Sequence, residues 1–304
     1  MYRYSVDNAV IYTPSDFKLF RESPFAVWME RLTLENPDHG ILPDINSEPP
    51  GDDVTSQDEI VDTLRAEGRD VLLIEWDKSE SERSVDTQEA MRGGADFIVN
   101  GTLAVGPLAG NVNLLMRTSG FSDLGGYLYV PCDTQGGPVL ESAFRLCFMS
   151  DLLHSLQGQL PPQLLLVRGE IDRGDIDVLP LQTEDHIYYY RAVKKRFMDE
   201  MRNFRKHRMP DPSDSAHFGR WVDCASEVMK QRAVSADYQR YEEEWDADDP
   251  DQGFDQAEEQ RREQIQQQVA ATESVNMRVA SGGGQQISAR GGSVGGVVAV
   301  SYTH

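Results

Sequence analysis

The sequence predicts an α/β protein in which a central mixed sheet is flanked by helices, with helical additions at both ends and a disordered tail. Three observations predict it. Through the middle of the chain, apolar runs bounded by Gly, Ser and Asp alternate with helix-patterned segments in the order helix, strand, strand, strand, helix, strand. Hydrophobic residues make up 39% and charged residues 26% of the 304, enough apolar material for one sizeable core. Beyond residue 235 the composition turns acidic, then Gln-rich, then Gly/Ser-rich, and such a segment cannot bury enough apolar surface to offset its ordering entropy. One domain over residues 1–234 and a tail over 235–304 follow.

The elements can be read in order. Thr13-Pro14-Ser15-Asp16 is a helix start, and Phe17, Leu19, Phe20, Phe25, Trp28, Met29 and Leu32 follow at helical spacing, broken into two short helices at Ser23-Pro24. Residues 36–53 have loop composition; Ile60, Val61 and Leu64 mark a helix that ends at Gly68, and 71–74 is a buried strand. A short helical turn over 87–91 closes at Gly93-Gly94 before an extended segment at 97–99. Residues 112–116 and 127–130 are strands that pair through the turn-rich 119–126. A helix over 143–156, apolar on most sides, ends at Gly158 and leads to a strand at 164–167. Two further helices span 184–208 and 218–233, the first stopping before Met209-Pro210. Within the tail, a transient helix is expected over 256–271.

Composition narrows the function. The net charge of -22 repels phosphate backbones unless positive charge is concentrated locally. Cys132, Cys147 and Cys224 are far apart and form no CxxC pair, so a disulfide framework or zinc knuckle is not indicated and a reducing cytoplasm fits. No run of roughly 18 apolar residues occurs, so no membrane span is expected. No Ser-His-Asp or Cys-His nucleophile arrangement can be argued, and Gly282-Gly283-Gly284 lacks the strand and helix that a phosphate-binding loop requires.

Several segments carry a resemblance. They are Tyr12-Thr13-Pro14-Ser15-Asp16 with Ser23-Pro24-Phe25; Leu64-Arg65-Ala66-Glu67-Gly68; Thr87-Gln88-Glu89-Ala90-Met91 with Gly94-Ala95-Asp96; Asp133-Thr134-Gln135; and Ser150-Asp151-Leu152-Leu153 with Leu156-Gln157-Gly158. In that order, over roughly residues 12–233, the chain resembles the RecB-like nucleases of the PD-(D/E)XK superfamily. The resemblance implies a restriction-endonuclease-like core. In active members, two carboxylates on adjacent strands hold Mg²⁺, and a Lys beside the second one acts on the attacking water.

The matching positions here are degenerate. Asn113, in Gly110-Asn111-Val112-Asn113, puts an amide where the first acid is expected. Asp133 keeps the second acid, but Gln135 replaces the Lys and removes the positive charge that the water and scissile phosphate require. The upstream His-Glu pair falls on Ser56-Gln57, and the Gln and Tyr of the following helix fall on Arg145 and Met149. Only Cys224 remains of the cysteines that bind a cluster in some relatives, so no iron–sulfur cluster is expected. Asp133 is at most a weak metal ligand, or else a capped carboxylate at a strand end. Glu141 or Arg145 are the residues that could replace what is lost. Asp151 and His154 have a spacing compatible with a metal pair but more typical of a hydrogen-bonded one.

On the helix over 184–208, Arg191, Lys194, Lys195, Arg202, Arg205 and Lys206 fall within an arc of about 120° when each residue advances about 100°. Beside tyrosines 188–190 they form either a track for a phosphate backbone or a solvated helix face. Between 242 and 259 stand ten acids and no Lys or Arg, which either fold over that stripe or only solubilise the chain. Three readings follow: a catalytically inactive nuclease-fold protein that binds nucleic acid or a protein partner; an Mg²⁺-dependent nuclease with a rearranged site; or a structural interaction protein that uses its acidic tail.

Overall fold

The structure is a computed structural model that describes residues 1–4, 7–44, 58–134, 137–168, 177–206, 208–247 and 262–267, with backbone only at 58–60 and 241–247. Its elements are β1 (Tyr2–Arg3), β2 (Val10–Ile11), α1 (Pro14–Glu22), α2 (Pro24–Glu35), α3 (Asp58–Ala66), β3 (Val71–Leu73), α4 (Glu80–Gly93), β4 (Phe97–Val105), β5 (Leu108–Ser122), β6 (Gly125–Asp133), α5 (Val139–Gln157), β7 (Gln163–Arg168), β8 (Asp177–Gln182), α6 (Thr183–Arg202) and α7 (Val222–Ala247). Two compact units result, one of residues 1–31 and 44–225, the other of 32–43 and 226–304.

The first unit holds the sheet. Its six strands lie in chain order, β3 to β8. The meander β4-β5-β6 is antiparallel, β3 runs parallel to β4, β7 parallel to β6, and β8 antiparallel to β7. This is the α/β architecture expected, a mixed sheet flanked by helices, with the order helix, three strands, helix, strand running from α4 to β7.

One face of the sheet is buried and mostly aliphatic. Val71, Val99, Leu114, Leu128, Val130, Cys132 and Leu165 pack there with Val61 of α3. A second core is aromatic and joins α1, α5 and α6. Phe197 sits 4.3 Å from Phe17, 5.0 Å from Tyr12 and 5.3 Å from Phe20 between ring centroids. Phe17 also meets Phe148 at 5.2 Å. Edge and tilted pairs of this kind add about 0.5–1.5 kcal/mol each beyond the area they bury.

Helix termini follow local chemistry. Thr13 and Asp16 make a capping box at the helix start expected there, and Pro24 opens α2 where the break was placed. Gly158 ends α5 in the left-handed region, at φ 72°, where a Cβ is disfavoured. There Gln157, fully buried, spans the backbone of Tyr129: Tyr129 N donates to its Oε1 at 2.9 Å, and its Nε2 donates to Tyr129 O at 3.1 Å. The side-chain amide completes the hydrogen bonding of β6 beyond its pairing with β7, which covers Cys132 and Asp133.

Several expectations need correction. The turn expected at 87–91 is the full helix α4, opened by Ser79 and Glu82 in a reciprocal capping box and closed by Gly94. The strands β4, β5 and β6 are longer than their apolar cores, because Gly101, Thr102 and Asn111 are carried in register by their neighbours. An additional strand, β8, contains Pro180, which is accommodated because β8 is the sheet's edge. The helix over 184–208 ends at Arg202, capped at Asn203, and a 3-10 turn, Phe204–Lys206, follows because Phe204 is buried against Trp28. The last helix continues through residue 235 to Ala247, since no Gly or Pro interrupts it until Pro250. Residues 262–267 are helical, within the segment where a transient helix was expected; the rest of the expected tail, including Gly282-Gly283-Gly284, lies outside the described residues.

In the second unit, His39 is buried, its Nε2 2.9 Å from Thr33 Oγ1 and its Nδ1 accepting from Ile41 N at 3.2 Å. Burial lowers its pKa, so the ring resists protonation.

Phe197 is the hub of the aromatic core, so Phe197→Ala is expected to cost about 3–5 kcal/mol. Urea denaturation should show the midpoint falling with an unchanged slope.

Candidate functional site

The site forms where β5 and β6 run side by side. Leu114 pairs with Cys132, so one step along the antiparallel register Asn113 and Asp133 are cross-strand neighbours that share a face. It is the face opposite the aliphatic cluster of Leu114 and Cys132, because side chains alternate along a strand. Both are buried, Asn113 at 7% and Asp133 at 3% exposure. Asn113 Nδ2 donates to Thr134 Oγ1 at 3.1 Å.

The positive charge beside Asp133 comes from α5. Arg145 Nη2 forms a short ion pair with Asp133 Oδ1; the carboxylate side chain is 1% exposed and the guanidinium side chain 33%. Of the two residues considered as replacements, Arg145 therefore reaches the acid. Glu141 does not: it binds Lys18 at 2.8 Å on the surface, and that bond holds its carboxyl below the usual range. One turn beyond Arg145, Met149 is buried, and its methyl would lie 2.8 Å from a Cβ placed on Gly110, so the thioether fills the space above that glycine. Gln135, Ser56 and Gln57 lie outside the described residues.

A second amide stands on β4. Asn100 falls between the Val99–Leu114 and Gly101–Val112 pairs, opposite Asn113 in the register. It is 2% exposed and takes a left-handed backbone, φ 58°. Asn is the residue type, after Gly, that best tolerates that region, which is the one signal in the sequence that could have singled it out.

These residues do not fit a catalytic Mg²⁺. A hard divalent cation seeks several charged oxygens. Here the strand pair offers one carboxylate already engaged by a guanidinium, and a neighbouring amide. Among the described residues, no group of three or more His, Cys, Asp and Glu side chains is placed to hold a metal.

The structure separates the six basic residues of the expected stripe. Arg191 Nε lies 3.2 Å from Asp151 Oδ1, and Lys194 Nζ contacts Asp151 Oδ2, so this carboxylate of α5 is occupied by two cations of α6. His154 is 3.4 Å from Arg191 through Nδ1, so Asp151 and His154 both take part in this interhelical link. Lys195 is exposed, and Arg202 is exposed with Asp199 at 3.4 Å. Arg205 and Lys206 are exposed on the 3-10 turn, past the end of the helix, where the advance per residue changes and a single angular arc no longer applies. Tyr188 and Tyr189 are exposed, while Tyr190 is buried in the aromatic core.

The three thiols are quiescent. Burial pushes Cys132 and Cys147 up to about 12, and Cys224 up to about 11. No protein-family model matches the chain, and no curated protein matches it.

Two outcomes are expected. Arg145→Gln removes the guanidinium from a buried carboxylate and should cost about 3 kcal/mol, whereas Asp133→Asn combined with Arg145→Gln should recover most of it; chemical denaturation of the four members of the cycle measures the coupling. A thiol reagent at pH 8 should label the native chain far more slowly than the unfolded chain. Because the thiols hold their protons more tightly when folded, their contribution to stability is complete below the ordinary value near 9.0 and is lost as pH rises through the folded values of about 11 to 12.

Proposed function

We propose that this chain is a RecB-like, PD-(D/E)XK-type nuclease fold that has exchanged phosphodiester cleavage for nucleic-acid binding. The observation that carries the reading is the ion pair between Asp133 and Arg145. The one carboxylate at the matching pair of positions is neutralised by a fixed guanidinium, and its cross-strand neighbour is an amide. A divalent ion entering there would have to displace Arg145 and would meet one negative charge. Activation of water by a metal requires the ion to be held firmly enough to shift the water's acidity. The order of elements from α4 to β7 and the parallel β6-β7 pair support the fold assignment.

Binding would fall to the α6 surface. Lys195 and Arg202 are exposed there, Lys206 is exposed on the 3-10 turn that follows, and Tyr188 and Tyr189 offer faces on which bases can stack. Arg191 and Lys194 contribute less, because Asp151 cancels part of their charge. With a net charge of -22, contact with a polyanion depends on locally concentrated positive charge and is steeply salt-dependent.

Two measurements test the reading. Calorimetry with Mg²⁺ or Mn²⁺ should give no saturable heat, and DNA and RNA should stay intact. Mobility shifts should show binding whose logarithmic salt slope is about −3, for three neutralised phosphates, and Lys195→Glu with Arg202→Glu should abolish it. Asp151→Ala should strengthen binding by releasing Arg191 and Lys194. Magnesium-dependent digestion that disappears in Asp133→Ala would sink the proposal, and so would the absence of any shift at low salt.

A further inference from the structure

The opposite edge of the sheet carries a separate feature. Among the described residues, no strand lies beyond β3. Two hydrogen bonds fix which backbone groups it leaves open: Phe97 N donates to Asp70 O, and Ile74 N donates to Val99 O, both at 3.0 Å. In a parallel ladder, alternate residues of a strand bond to the same neighbour. The backbone groups of Asp70, Leu72 and Ile74 therefore turn towards β4, and those of Val71 and Leu73 turn outward. Arg65 Nη2 reaches Val71 O at 3.5 Å, which leaves the N–H and C=O of Leu73 facing the side where, among the described residues, no strand lies.

A groove of about 450 Å³ lies along this strand, walled by α4. Its lining has an apolar base that includes Ile74 and Ala90, both buried, and Leu72, which is 41% exposed. Around that base stand four acids, Asp70, Glu75, Asp86 and Glu89, against one base, Lys78, a net charge of −3. Lys78 shows how the groove holds an ammonium: its Nζ lies 2.8 Å from Asp86 and 3.6 Å from Glu75.

We propose that the β3 edge and its acidic groove receive an extended, basic segment of a partner protein as an added strand. An incoming strand would exchange main-chain hydrogen bonds with Leu73. Its side chains alternate between faces, so every second one would point towards α4, where Leu72 offers apolar contact and Glu89 offers a carboxylate beside the Asp86–Lys78 pair. The main chain supplies affinity without sequence preference, and the carboxylates select Lys or Arg at alternate positions. A strand of this partner type is chosen over nucleic acid by charge, since the same carboxylates repel phosphate. The proposal is independent of the α6 surface and of the state of the Asp133 site.

Fluorescence anisotropy of the full chain with a short labelled Lys–Val alternating peptide tests it, with a Lys–Pro peptide of equal charge as control. The Lys–Val peptide should bind saturably. The Lys–Pro peptide, lacking alternate N–H donors, should bind at least about tenfold more weakly. Glu89→Lys and Leu72→Lys, both at exposed positions, should each weaken binding about tenfold or more while the thermal midpoint stays native. Amide hydrogen exchange should show Leu73 N–H slowed in the complex. Equal binding of the two peptides, unchanged affinity in Glu89→Lys, or an unprotected Leu73 amide would each overturn the proposal. Unchanged affinity would assign the peptide to the ten acids between 242 and 259.

Discussion

A carboxylate buried at the end of a central strand demands a positive charge, and the choice of that charge organises this molecule. Asp133 is placed by β6 on the face towards α5, where water cannot solvate it. Left alone, such a group would be strongly destabilising. A divalent ion and a guanidinium both answer the demand, but they differ in what they permit. The ion leaves coordination positions free for water and phosphate; the guanidinium engages Oδ1 and adds only hydrogen-bond donors. Arg145 thus supplies that charge in one contact, and under the proposed reading it stands where a metal would otherwise be needed. Its net worth to stability is modest, because the carboxylate was desolvated to make it, and it also ties α5 to the sheet.

The same logic applies on a larger scale to the charge distribution. Asp151 draws Arg191 and Lys194 inward and ties α6 to α5, so residues that are cationic in the sequence are structural in part. The β3 edge carries the reverse imbalance, a groove in which acids outnumber bases. Charge of opposite sign is therefore gathered on different elements, and the net charge of -22 describes neither.

Much of this was legible in the sequence, and the misses have physical causes. The Pro24 break, the Gly158 terminus and the aliphatic strands are local signals, and local signals survive folding. The Ser79-x-x-Glu82 box that opens α4 was also present but sat beside a charged stretch without apolar periodicity. Pro180 hid β8, because a proline argues against a strand unless that strand is an edge, and being an edge is a tertiary property. The stripe of six basic residues failed for a similar reason: its arc assumed one helix, and the burial of Phe204 ended that helix at Asn203. At the site, the positions Asn113, Asp133 and Arg145 could be named from resemblance. That Arg145 rather than Glu141 reaches Asp133 depends on the azimuth of α5 about its axis, which nothing local encodes.

That azimuth is held twice. Near its first turns α5 is tied to β6 through Arg145 and Asp133, and at its last residue through the amide of Gln157 on Tyr129. The anchors are twelve residues apart on the helix, roughly 18 Å at about 1.5 Å per residue. A rod riveted at both ends to the same plank can neither slide nor roll, so α5 and β6 should open to solvent as one cooperative body. Motion in this protein must be sought elsewhere, at the hairpin tip around Phe121 and along the margins of the sheet.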